Sequence, residues 1–190
     1  MEAGKYKLLI AFLMFLVITG GINIAQDTKE SQQEQRTFSS DDPDEVYVGN
    51  PITMPDTAIQ TLRNSETGSV CLEIEHRFDP SWVVGSEVNL DGAGETAIVV
   101  MPKFFIKPPL DNSCMLGAHT TTFWVLGKGD KGYQILLETR ASSLYVDNSR
   151  HNGYLDIITY INNFSDTNAV YYRFDGRKYQ EFERKVIDKR

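Results

Sequence analysis

Four oxygen-bearing side chains stand at short, regular intervals around a glycine turn in the run EVNLDGAGE: Glu87, Asn89, Asp91 and Glu95. Counting Glu87 as position 1, they occupy positions 1, 3, 5 and 9, with Gly92 at position 6. Alternating oxygens ahead of a glycine reversal let a loop wrap a hard cation such as Ca²⁺, and the Ala93 carbonyl offers one more oxygen. The loop is not an EF-hand. Glu87 replaces the usual shorter Asp, and Ile98 stands at position 12, where a bidentate Glu belongs. The readings left open are a short calcium loop closing on Glu95 and a metal-free acidic turn.

A second copy of the spacing follows 61 residues later, as Asn148, Arg150, Asn152, Gly153 and Asp156. Arg150 puts a cation where a ligand oxygen would be needed, so this copy is not expected to hold metal. Its existence suggests that both segments are first of all turns feeding a strand. The two cysteines, Cys71 and Cys114, have only one pairing available in an oxidising compartment; the alternative is two separate buried thiols.

Other catalytic patterns are lacking. The sequence contains no His-Glu-x-x-His zinc helix, no Gly-x-Ser-x-Gly elbow and no phosphate-cradling glycine loop before a helix. Of the three histidines, His76 reads as a half-buried strand residue, His119 as a strand-start residue and His151 as a solvated loop residue. Cys114 and His119 are too far apart in an extended chain to form a thiolate–imidazole pair unless the chain folds back.

These residues must be positioned by strands. Residues 69–77 (SVCLEIEHR) alternate, with Val70, Leu72, Ile74 and His76 on one face, and read as a strand. Residues 96–106, bent at Pro102, are rich in β-branched and aromatic side chains; residues 121–126 and 133–139 flank a glycine-rich hairpin. Strands at 144–146, 155–161 and 169–174 follow, and Asp175-Gly176 marks a last hairpin into RKYQEFE. One short helix is expected from Pro55 to Arg63, with Ile59 and Leu62 facing inward. Closely spaced strands without long intervening helices imply a mainly β fold. It should be built from antiparallel hairpins, sandwich-like or strongly bent, with one short N-terminal helix. Tyr171 and Tyr172 must face opposite ways, so the C-terminal aromatics are divided between the core and an outer face able to stack on sugar or anchor a protein. Asn163-Phe-Ser165 would accept a glycan in a eukaryotic secretory pathway.

The run EVNLDGAGETAIVV resembles the loop-plus-strand element of FG-GAP or VCBS-type repeats. The stretch from about Val83 to Tyr179 is also similar to exported bacterial domains that carry one such loop. In those a cysteine precedes a strand with a central Trp (here Cys114 and Trp124), followed by a G-x-x-D-I strand and a Y-x-F-D-G-x-x-Y hairpin (here 153–157 and 172–179). The resemblance implies an exported, β-rich, calcium-type domain and no catalytic activity. Two spaced copies are too few to close a propeller.

Lys5 and Lys7 precede an apolar run from Leu8 to Ile18, and small residues follow up to Ala25. This reads as a secretory signal over residues 1–25, or as an uncleaved membrane anchor. Residues 26–45 are polar and acidic and read as a disordered linker. Residues 46–190, about 145 in number, are the size of one domain. Loss of the signal shifts the net charge from −7 to −8, because Lys5, Lys7 and Glu2 leave with it. Such a chain has no basic stripe to displace counterions from phosphates, which argues against nucleic acid. The sequence therefore suggests a periplasmic or secreted non-catalytic domain that binds a protein or glycan, with calcium serving structure if it is held. The alternative is an envelope hydrolase or an inhibitor of one.

Overall fold

The computed structural model describes residues 36–39, 48–94, 96–103 and 112–188. The expected signal segment and most of the expected linker lie outside these residues. Nine strands form two antiparallel sheets, joined by two helices. In chain order they are β1 (Thr37–Ser39), α1 (Asp56–Arg63), α2 (Glu66–Ile74), β2 (Val83–Asn89), β3 (Thr96–Pro102), β4 (Thr121–Gly129), β5 (Gly132–Ala141), β6 (Ser143–His151), β7 (Tyr154–Asn162), β8 (Asp166–Phe174) and β9 (Tyr179–Asp188). One sheet has the order β2-β3-β4-β5 and the other β1-β6-β7-β8-β9.

The sheets pack face to face. Val88, Val99, Met101, Phe123 and Val125 of the four-stranded sheet meet Leu144, Val146, Ile157, Val170 and Tyr172 of the five-stranded one. On its other face the four-stranded sheet is covered by Ala58, Ile59, Leu62 and Cys71 from the helices, against Ile98, Val100, Trp124 and Leu126. Being buried on both faces explains why β3 and β4 read as continuous apolar runs rather than alternating ones. The fold is thus a β-sandwich with a helical cover on one side.

Three expectations change. Residues 69–77 are not a strand; residues 66–74 form α2. The period-two pattern is misleading because Val70, Leu72 and Ile74 are all exposed, while the buried stripe is Thr67, Gly68 and Cys71. Local capping decides the matter. Ser65 Oγ accepts from the Gly68 amide at 3.0 Å, and the Glu138 carboxylate accepts from the amides of Glu66 and Thr67 at 3.2 and 2.7 Å. Among the described residues there are therefore two α-helices where one is expected. The linker reading also fails at Thr37–Ser39, which pairs with β6 and sets Phe38 fully buried between the sheets. A single aromatic is enough to pin that segment.

The hairpins refine the turn chemistry. Asn152 and Gly153 take φ of +49° and +86°, so the tight turn needing two left-handed residues joins β6 to β7. The Asp175-Gly176 hairpin is real but longer, spanning residues 175–178, and only Gly176 has positive φ. Asp175 instead accepts from the amides of Arg177 and Lys178 at 2.8 and 2.9 Å, which holds its carboxyl below the usual range.

Candidate functional site

Three of the four expected calcium ligands lie within the described residues. Glu87 sits exposed on β2, paired in register with Ile98. Asn89 Oδ1 accepts from the Gly92 amide at 2.6 Å, and Asp91 Oδ1 accepts from Ala93 and Gly94 at 2.8 and 3.2 Å. Both oxygens therefore close the turn on itself. Glu95 lies outside the described residues. Among the described residues no group of three or more His, Cys, Asp or Glu side chains stands where it could share a metal ion. A cation of the chain itself stands at this loop. Arg150 Nη1 donates to the Asp91 carbonyl at 2.5 Å and to the Gly153 carbonyl at 2.8 Å. The α-carbon of Gly92 lies so close to the guanidinium that a Cβ there would come within 2.4 Å of Arg150 Nη2. The Leu155 amide donates to the Leu90 carbonyl at 2.8 Å, so the two loops of similar sequence meet at one end of the sandwich.

Cys71 and Cys114 are joined as a disulfide, with a Cα–Cα separation of 5.2 Å. The bond ties α2 to the short turn Ser113–Met115 and is buried in the helix-side core. It removes any Cys114–His119 pair. His119 is exposed, with its carbonyl accepting from Ser142 Oγ. His76 is not half-buried in a strand: it follows the end of α2, exposed, with φ +55°.

The C-terminal aromatics divide as alternation requires. Tyr172, Phe174 and Tyr179 enter the core with Tyr154 packed beside them; the Tyr154 and Phe174 rings stack at 4.1 Å. Tyr145, Tyr160 and Tyr171 take the opposite, outer face of the five-stranded sheet. Ile158 pairs in register with Tyr145 on one side and Tyr171 on the other, and Tyr160 lies two residues further along β7. Burial, then the nearness of Tyr171, Tyr145 and Asp147, raises the Tyr160 phenol above its ordinary range.

A second cluster borders this patch. β9 carries one extra residue opposite the Tyr171–Tyr172 junction, and that residue is Phe182. The bulge brings its ring to 6.1 Å from Tyr171, and the Arg173 guanidinium lies 3.6 Å over it. Lys185 Nζ lies 4.8 Å over Tyr171 and 3.0 Å from Glu183. His151 is not simply solvated. Its Nδ1 lies 2.7 Å from Oδ1 of Asp156, whose side chain is only 7% exposed, and Arg173 Nε stands 3.7 Å from the other oxygen. The sequence signal for this pair is the five-residue spacing across an Asn-Gly turn, which the metal-loop reading of the same residues obscures. Comparison with known proteins gives no match among family models, curated proteins or solved structures.

Proposed function

We propose that the chain is an exported, non-catalytic binding domain that takes a glycan on the outer face of its five-stranded sheet. The observation carrying this reading is the gathering of Tyr145, Tyr160 and Tyr171 around Ile158 on that face. A twisted antiparallel sheet presents such rings as a shallow platform on which the apolar faces of sugar rings stack. Asp147, Glu183 and Lys185 stand at its rim to meet sugar hydroxyls. The acidic charge suits a neutral glycan better than a polyanion. Affinity electrophoresis against soluble β-glucan, xylan and chito-oligosaccharide tests it. At least one should retard the protein, with the shift lost in Tyr160→Ala. Unretarded migration in all three would defeat the proposal, and a protein captured through the same tyrosines would change the partner class.

Export is supported by the disulfide, since such bonds persist in oxidising compartments, and by the signal-like segment over residues 1–25. The domain would then lie in the periplasm or outside the cell, or be held at the membrane if that segment stays uncleaved. Among the described residues no helix is long and apolar enough to cross a membrane. Mass spectrometry of the mature N-terminus separates these cases.

The hydrolase alternative draws on one observation, the imidazole of His151 held through Nδ1 by a buried carboxylate. In a hydrolase that arrangement leaves Nε2 to move a proton. Arg173 on the same carboxylate favours a clamp on the hairpin instead. Breakdown of any glycan in the panel, abolished by His151→Ala, would reverse this preference.

A further inference from the structure

Three of the four sheet edges are short or partly engaged. β2 is bridged at Gly85, whose carbonyl accepts from the Ile52 amide at 2.9 Å. β5 lies under the helices: the Tyr133 carbonyl accepts from Thr61 Oγ1 at 2.9 Å, and Glu138 caps α2. On the far side of the five-stranded sheet the edge strand is β1, only three residues long, beside which Val146 donates to the Arg36 carbonyl at 2.8 Å. β9 differs. It is ten residues long, every residue after Tyr179 is exposed, and no described element pairs with its outer edge. An open edge is a template for another strand. It also carries apolar side chains that water would not favour: Phe182 is 40% exposed, Val186 66% and Ile187 47%.

We propose that this edge is an interface with a second copy of the chain, β9 pairing antiparallel with β9 about a twofold axis at Arg184. An axis perpendicular to the sheet keeps the same faces together, so directly opposed residues must have numbers summing to an even value. Centring on Glu183 would set the two Glu183 carboxylates against each other, and centring on Lys185 would oppose the two ammonium groups. Centring on Arg184 sets Glu183 opposite Lys185 of the second copy, twice, on the face that carries Tyr171. Cross-strand pairs of opposite charge are favourable, whereas like charges in opposition are not. The two Arg184 side chains then approach each other, but each is already held by its own Glu181 at 2.9 and 3.1 Å. Charges at an edge serve elsewhere to keep strands apart; here they select one register. The pairing joins two five-stranded sheets into one of ten strands with both tyrosine platforms on the same side. It does not depend on what those platforms bind.

Sedimentation equilibrium of the purified chain tests the interface, with circular dichroism confirming that each variant is folded. The wild type should dimerise reversibly with concentration. Glu183→Lys and Lys185→Glu should each weaken the dimer about tenfold or more, because two attractive pairs become repulsive, while the E183K/K185E double exchange should restore it. Arg184→Cys should form an intermolecular disulfide on mild oxidation, since the axis places the two thiols opposite each other. A wild type that stays monomeric, single reversals without effect, a double exchange that fails to restore pairing, or no cross-link through residue 184 would each overturn the proposal.

Discussion

Arg150 of the five-stranded sheet places its guanidinium on the carbonyl of Asp91, in the β2–β3 loop of the other sheet. The loop that reads as a calcium site thus receives its positive charge from within the chain. The bond is solvent-exposed, and a hydrogen bond of this kind contributes about 0.5–1.5 kcal/mol. Arg150→Ala should therefore lower stability by about that amount in urea unfolding, while Ca²⁺ added to EDTA-treated wild-type protein should leave its melting temperature unchanged. A calcium-dependent rise that disappears in Asp91→Ala would show instead that the loop holds metal.

The Cys71–Cys114 bond closes a segment with a sequence separation of 43 residues. Chain-entropy arguments give a cross-link of that span roughly 4 kcal/mol of stabilisation, mainly by restricting the unfolded chain. Paired replacement by serine should lower the free energy of unfolding in urea by that amount and raise the m-value, because the unfolded chain becomes less restricted. An unchanged midpoint would mean that α2 and the turn at Cys114 are held by packing alone.

The sandwich is legible in the sequence because β4, β5, β7 and β8 carry either alternation or long β-branched and aromatic runs bounded by turn residues. What is not legible depends on partners remote in the chain. Helix α2 exists because Ser65, Glu138 and the disulfide meet there, and none of those relations is visible in residues 69–77 by themselves. Thr37–Ser39 is fixed by one phenylalanine whose pocket is built from both sheets. The loop residues around Gly92 stand out by their spacing, but Arg150 looks like a defect of the second copy when it is the partner of the first. The outer tyrosines are half legible. Alternation divides Tyr171 from Tyr172, but only the register brings Tyr145 and Tyr160 beside Tyr171.

Tyr179 couples the last hairpin to alkaline pH. Its buried hydroxyl donates to the Leu155 carbonyl at 2.7 Å, and burial, followed by nearby Tyr154 and Asp156, raises its phenol far above the ordinary value of 10.0. In the unfolded chain the phenol ionises near that ordinary value, whereas the folded protein keeps the proton. The associated stability is fully present below about pH 10 and declines as pH rises further. Tyr179→Phe should flatten this alkaline loss while costing about 1–3 kcal/mol at neutral pH for the orphaned carbonyl. Equal pH slopes for wild type and variant between about pH 9 and pH 11 would exclude Tyr179 as the source.

Gly68 sets the approach of the two helices. A Cβ built there would fall 1.9 Å from the Leu62 carbonyl oxygen and 2.9 Å from that of Arg63, and neither backbone atom can turn aside like a flexible side chain. Alanine is the better helix former, so propensity alone would make Gly68→Ala stabilising by up to about 1 kcal/mol. The clash opposes that gain and outweighs it, because overpacking against a fixed backbone costs about 1–3 kcal/mol or more. Gly68→Ala should therefore destabilise the domain by at least about 1 kcal/mol, read from the urea midpoint. It should also loosen the Trp124 indole, which donates to Ser65 at 3.2 Å beside the same junction, so its fluorescence should move to longer wavelength. A stabilised variant with unshifted emission would mean that the helices can separate without disturbing the sheet beneath them.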